Sequence, residues 1–424
     1  MSDLSTLNEL KRLEVRMGDV EVGQLRWHER TLYFSYAERF LKRDLWLSPF
    51  QLPLRSELFE HRDLRFGTLF GLFDDSLPDG WGRLLISRHF RSRGLELRGA
   101  SPLALLAYLG DRTMGALSYH PPRMDGAQGE AIELALLARH SQEVLSGAVE
   151  DVLPALRRAG GSPGGARPKI LVGVRQDGAE GPALISGEGR LPSTHAPWLI
   201  KFRGADDDAD APRVELAYME LARSAGLRVP ATRAFEAEGS IYFGVERFDR
   251  VCGEGEWRRV HIHTLGGLIH ADFRVPSCDY ADLLKVTRAL TRGDQEALYQ
   301  AFRIMVFNWL THNRDDHVKN ISFMMSEEGG WSLAPAYDLT WSSGPSGEHS
   351  MTIAGEGRAP KASHALKLSS DFDLDEERCL RVIDEVGEAV ASWGEVSSSF
   401  SVSARGRARI QRELNRLWPY LLDS

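Results

Sequence analysis

The segment Asp315-Asp316-His317-Val318-Lys319-Asn320 follows a strongly apolar run from Phe302 to Leu310, so it lies where a buried element leaves for a loop. A carboxylate there can orient an acceptor hydroxyl and take its proton late in a phosphoryl transfer, while an Asn five residues on offers an amide oxygen to Mg²⁺. The same D-x4-N spacing is met in solvated polar loops after helices, so its meaning depends on its partners. Asp338, in Leu333-Ala-Pro-Ala-Tyr337-Asp338, stands 18 positions after Asn320, and Ile321–Met325 and Trp331–Leu333 between them read as a hairpin. Mg²⁺ is usually held by one or two carboxylates plus substrate phosphates, which suits Asn320 and Asp338 at the hairpin ends. An Asp capping a strand end is the plainer reading of Asp338.

Lys201 closes the apolar run Trp198-Leu-Ile-Lys201, where alternation puts it on one face with Leu199. An ammonium there needs an anion, either a nucleotide phosphate or Glu215 on the following helix, where Glu220 is a nearby competitor. On an exposed edge strand it would be an ordinary surface lysine. Gly160-Gly-Ser162-Pro-Gly164-Gly165-Ala166-Arg167-Pro-Lys169 is too rich in Gly and Pro for regular structure. It can wrap phosphates with backbone N–H groups or serve as a flexible linker, and it matches neither a Walker A loop nor G-x-G-x-x-G. His261 and His263 share a strand face without a third ligand at metal spacing, and His317 with Asp316 has no G-x-S-x-G nucleophile to serve. Neither pair is assigned a metal or an acid–base role.

These residues must be held by elements that the sequence also outlines. Short alternating segments between Leu13 and Leu41 predict antiparallel strands, and apolar positions recur helically after Pro102. Pro121-Pro122 marks a linker, and strands are predicted at Ile170, Pro182, Trp198, Thr232 and Ile241. Asp210 is expected to cap a helix with Pro212 in its first turn. Beyond Arg250 the pattern is helical over 280–290, 295–312, 376–391 and 404–422. The order is that of an α+β, protein-kinase-like bilobal fold: a Gly-rich loop, a strand ending in Lys, a helix, more strands, then a helical half carrying D-x4-N and a later Asp. The expected units are 1–125, 126–250 with the Gly-rich loop, and 251–424 with the catalytic loop.

The 424 residues are 42% hydrophobic, enough to bury a core in several units. No stretch has the apolar length of a membrane span, and Met1–Arg16 lacks the apolar run of a signal peptide. Three scattered cysteines fit a reducing, cytoplasmic setting. The net charge of −8 is opposite to that of a dedicated nucleic-acid binder, so any DNA contact is expected to come mainly through a partner.

With Asp74-Asp-Ser-Leu-Pro-Asp-Gly-Trp-Gly-Arg83, Ser162–Lys169, Val245-Glu246-Arg247-Phe248-Asp-Arg250, Phe307-Asn-Trp-Leu310, Asp315–Asn320 and Leu333–Asp338, the chain resembles the HipA family of bacterial toxin kinases over most of its length. The resemblance implies a β-rich HipA-type subdomain ahead of the kinase part and a Ser/Thr protein kinase using ATP and Mg²⁺. In it Asp315 is catalytic, Asn320 and Asp338 hold the metal, and Lys201 contacts phosphate. It further places Gly164, Gly165, Ala166, Arg167, Lys169, Glu246, Arg247, Phe248, His317, Lys319, Asn320, Tyr337 and Asp338 around the nucleotide, and makes Ser162 an autophosphorylation site. Implied partners are an aminoacyl-tRNA synthetase as substrate, glutamyl-tRNA synthetase in particular, and a HipB-like helix-turn-helix antitoxin that brings operator DNA. Asp316 departs from the family's frequent Gly. A small-molecule kinase and a catalytically silent antitoxin/DNA scaffold are the alternatives. The N-terminal module speaks against the first, the intact Asp315, Asn320 and Asp338 against the second.

Overall fold

The computed structural model describes residues 10–94, 101–122, 130–149, 151–160, 165–178 and 183–416; Ser162 and Gly164 lie outside them. The first three strands, β1 (Arg12–Met17), β2 (Val20–His28) and β3 (Thr31–Tyr36), are joined by tight turns. Their alternation buries Leu13, Val15, Val22, Leu25, Leu32 and Phe34 on one face. With β4 (Phe59–Glu60) and β5 (Leu117–His120) they form an antiparallel sheet of order β4-β3-β2-β1-β5. The helix Pro102–Leu109 starts on Ser101, whose hydroxyl accepts from Ala104 N at 3.2 Å, and its apolar residues join the same core.

A second antiparallel sheet has the order β7-β6-β8-β10-β9, built from β6 (Lys169–Arg175), β7 (Leu184–Ser186), β8 (His195–Lys201), β9 (Thr232–Ala237) and β10 (Ser240–Glu246). Register sets Lys169 opposite Lys201. The helix Gly80–Arg91 bridges the two sheets: Ile86 and Phe90 enter the N-terminal core, and Trp81 and Leu85 enter the core under β6 and β8.

The helix Ala211–Ser224 buries Val214, Ala217, Tyr218 and Leu221 and connects this sheet to the helical half, with Tyr218 and Trp393 ring centroids 5.5 Å apart. Asp210 does not cap it. Its carboxylate instead accepts from Ser403 N at 3.1 and 3.2 Å and from Ser403 Oγ, fastening the start of this helix to the helix Ala404–Asn415. In the helical half, Tyr280–Leu290 begins with a capping box of Asp279 and Asp282. Gln295–Leu310 buries 12 of its 16 residues and so gives the loop after it a rigid root. The strands Ser322–Met325 and Trp331–Leu333 form the expected hairpin, and His261–Thr264 pairs with its first strand. The N-terminal unit is seated directly on this half: a Cβ on Gly71 would stand 1.9 Å from the carbonyl oxygen of Gly267, an approach only glycine permits. Among the described residues no helix is long and apolar enough to cross a membrane.

Candidate active site

Three separate elements meet at the Lys201 ammonium. Its Nζ donates to Glu215 Oε1 on the helix Ala211–Ser224 and, at 2.5 Å, to Asp338 Oδ1. Burial favours the neutral amine, but Asp338 and Glu215 outweigh it and raise the Lys201 pKa. Two carboxylates share one ammonium, so the deeper one carries the cost: burial, reinforced by the Asp338 charge, pushes Glu215 up despite Lys201. Burial acts the same way on Asp338, but Lys201, Lys169 and Arg167 hold its carboxyl well below the usual range. Asp338 has a φ of 58°, a left-handed conformation that Asp tolerates better than most side chains. Lys169 is buried next to this group, and burial lowers its pKa from 10.5 to about 8 even with Asp338 nearby. Arg167 pairs with Asp207 at 3.1 Å and approaches Glu215 at 3.9 Å.

Asp315 opens toward solvent with its side chain 62% exposed. The surrounding walls still remove part of its hydration and, with Asp338, raise its pKa, while His317 opposes them from 3.9 Å. Solvent blunts that effect at such exposure. Asn320 Nδ2 donates to Asp315 O at 2.7 Å; a carbonyl can only accept, so the contact fixes the amide and leaves its oxygen as the acceptor. The His317 ring lies 5.2 Å from Phe273.

The loop's orientation comes from the neighbouring carboxylate. Asp316 is 1% exposed and accepts from Tyr280 Oη at 2.8 Å, His349 Nδ1 at 2.9 Å and Ser350 N at 2.8 Å. Asn308 Nδ2 donates to Tyr280 Oη and Asn313 Nδ2 to Asn308 Oδ1, both at 2.9 Å, so the chain of bonds runs in one direction into Asp316. The sequence marks Asp316 only as a departure from the family's frequent Gly and as a neighbour of His317 with no nucleophile to serve. Its partners, 34 to 36 positions away in Tyr280 and Ser350, give no local signal.

A second missed group comes from the N-terminal unit. Lys319 Nζ pairs with Asp74 at 3.1 Å and Asp79 at 3.3 Å, which raise its pKa against the effect of burial. Trp81 donates from its backbone N to Gly165 O and from its indole to Lys169 O, each at 3.2 Å. The described end of the Gly-rich loop thus rests on residues 79–81. Asp75 accepts from His263 Nδ1 at 2.6 Å and from Thr264 N at 2.7 Å; His263 Nε2 lies 3.1 Å from Ser48 Oγ, and His261 Nε2 lies 2.9 Å from Leu47 O. Both imidazoles therefore dock the N-terminal unit.

At the end of β10, Glu246 N donates to Ala231 O, and just beyond it the Arg247 guanidinium is committed to Asp249 at 2.9 and 2.8 Å. Phe248 stands 5.5 Å from the Tyr337 ring, and Tyr337 Oη donates to Lys319 O at 2.7 Å. The aromatic pair and the loop that carries Asp315 and Lys319 are thereby joined.

A family profile described as the HipA-like C-terminal domain matches residues 161–393, and another, the HipA N-terminal domain, matches residues 13–120. The chain is 26% identical over 436 residues to the putative kinase Y4mE of Sinorhizobium fredii, spanning 89% of this chain and 93% of that protein. It is also 26% identical over 289 residues to the putative kinase Y4dM of the same organism, spanning 64% of each. In fold it is similar, with a TM-score of 0.70 and 20% identity, to a chain of the Shewanella oneidensis toxin–antitoxin complex of HipA, HipB and operator DNA, over 96% of this chain and 98% of that one.

Proposed function

The chain belongs to the HipA-like family, and on that footing we propose that it is an ATP- and Mg²⁺-dependent protein kinase that phosphorylates Ser or Thr. The observation that carries this reading is the Lys201 ammonium bonded to both Glu215 and Asp338, beside a loop that presents Asp315 and Asn320. The second sheet and the helical half act as the two lobes of a kinase-like arrangement, preceded by the N-terminal unit.

Lys201 and Lys169, with the backbone of Gly165–Arg167, hold the phosphates. Asp338 and the amide oxygen of Asn320 would hold Mg²⁺; this all-oxygen pair suits a hard cation, which supplies neutralisation of phosphate charge when bound. Glu246, Arg247 and Phe248 line the adenine end, where Arg247 contributes backbone because its guanidinium is taken by Asp249. The acceptor hydroxyl oxygen attacks the γ-phosphorus, the bond from that phosphorus to the bridging oxygen of the departing ADP breaks, and the hydroxyl proton passes to the Asp315 carboxylate. His317, Lys319 and Tyr337 position the loop around it.

Family membership supports three finer assignments: autophosphorylation of Ser162, an aminoacyl-tRNA synthetase such as glutamyl-tRNA synthetase as substrate, and neutralisation by a HipB-like antitoxin that carries the contact with operator DNA. The net charge of −8 agrees with DNA binding through the partner. A cytoplasmic location follows from the same reading.

The test is γ-phosphate incorporation by the purified protein with Mg²⁺-ATP, comparing wild type with Asp315→Ala and Asp338→Ala. Both variants are expected to lose transfer while melting as folded proteins. Mass spectrometry of the same samples locates the phosphate at Ser162. Full transfer by either variant would remove the assignment.

A further inference from the structure

We propose that Asp79 is a positioning residue of this site, through which the N-terminal unit sets nucleotide affinity by holding the phosphate loop and the catalytic loop at a fixed separation. The role in nucleotide binding rests on the kinase reading; the positioning itself does not.

Asp79 occupies the N-cap position of the helix Gly80–Arg91, where an Asp ordinarily accepts from the first backbone N–H groups of its own helix. It makes no such bond. Its two oxygens are directed to two other segments: Oδ2 accepts from Gly165 N at 3.4 Å, and Oδ1 accepts from Lys319 Nζ at 3.3 Å. A carboxylate is the small side chain that can accept from both segments and carry the charge that offsets an ammonium. The adjoining residues fix the same junction. Gly80 lies so near the loop that an added Cβ would stand 3.1 Å from Ala166 Cα, and Trp81 donates to Gly165 O and Lys169 O at 3.2 Å. On the other side, Lys319 is confined by Asp74 at 3.1 Å and by the Phe273 ring, whose centroid is 4.9 Å from Nζ. Lys319 is next to Asn320, a proposed metal ligand, and Lys169 is four residues beyond Gly165. A shift at Asp79 is therefore transmitted to both ends of the proposed triphosphate site, although Asp79 is not among the residues assigned to nucleotide or metal.

The experiment compares the full-length wild type with Asp79→Asn, which keeps shape but loses charge, and Asp79→Glu, which restores charge. Calorimetric titration with Mg²⁺-ATP is paired with hydrogen exchange on the nucleotide-free protein. For Asp79→Asn the expected result is about tenfold weaker Mg²⁺-ATP binding, within the usual range of affinity coupling between two sites. Exchange should be faster over 165–169 and unchanged over 80–91, with partial recovery of both readouts in Asp79→Glu. A residue that only capped its helix would give the opposite exchange pattern, faster over 80–91 and unchanged over 165–169, and that result overturns the proposal. Unchanged exchange at both segments overturns it as well. If the wild type binds no Mg²⁺-ATP, the kinase reading fails, and exchange over 165–169 still decides whether Asp79 positions the loop.

Discussion

Replacing Asp316 with Ala removes the acceptor for three donors at once, the Tyr280 phenol, the His349 imidazole and the Ser350 amide, each within 2.8 to 2.9 Å. A buried donor left without a partner costs about 1–3 kcal/mol, and water entering the space recovers part of it, so the net loss should be about 4 kcal/mol. Asn is the informative control. Its oxygen can keep Ser350 N, and His349 can change tautomer to accept from the new amide. The Tyr280 proton has no such escape, because Asn308 already donates to that phenol at 2.9 Å. Asp316→Asn should therefore cost about 2 kcal/mol, one unsatisfied buried hydroxyl. At about 2–4 °C per kcal/mol for a unit of this size, melting should fall by about 10 °C for Ala and about half that for Asn. Urea unfolding supplies the free energies, and γ-phosphate incorporation well below the melting range reports whether Asp315 is still aimed. An Ala variant that melts like wild type, or an Asn variant worse than Ala, would refute the proton direction assigned to this network.

Two further outcomes concern the ammonium groups. The folded pKa of Lys169, about 8 against an ordinary 10.5, means that between those values unfolding takes up a proton, so stability rises with pH. The penalty, about 3 kcal/mol, is complete below pH 8 and gone above 10.5, and the stability difference between wild type and Lys169→Met should vary across that window in chemical denaturation; Mg²⁺-ATP affinity should fall as pH passes 8 in wild type and lose that dependence in the variant. Lys201→Met leaves Glu215 and Asp338 without their shared cation, a loss of about 3–5 kcal/mol at neutral pH. That deficit should shrink as pH falls from 7 towards 5, because a carboxyl whose folded pKa is raised is stabilising in its protonated form; melting curves at the two pH values that stay parallel would contradict the shared-cation arrangement.

Much of the frame was legible because its signals are local. The alternation of β1 to β3, the periodic apolar face of 376–391, and the hairpin between Asn320 and Asp338 each depend on neighbours in sequence, and the structure has them. Lys201 was half legible. Its place on an apolar strand requires an anion, and Glu215 on the following helix is one that the sequence offers, but the simultaneous bond to Asp338, 137 positions away, is invisible to spacing. The helix 295–312 ends earlier than its pattern suggests, at Leu310, because Thr311 turns its backbone out of helical geometry and His312 has a φ of 52°.

The two carboxylates that local rules assign least well are those at N-cap positions, Asp79 and Asp210. Each precedes a real helix, and neither caps it. An N-cap bond contributes about 1 kcal/mol, while a partly buried contact to charged or multiple donors contributes more, so a tertiary partner at the right distance takes the side chain away from its helix. Ser403 does this to Asp210, and Lys319 with Gly165 does it to Asp79. The helices tolerate the loss for different reasons: Pro212 lacks one of the N–H groups that a cap would serve, and the helix Gly80–Arg91 is held between two cores by Trp81, Leu85, Ile86 and Phe90. A helix anchored by other means can spare its capping carboxylate, and Asp79 is spared at the junction of the Gly-rich loop and the loop that carries Asp315.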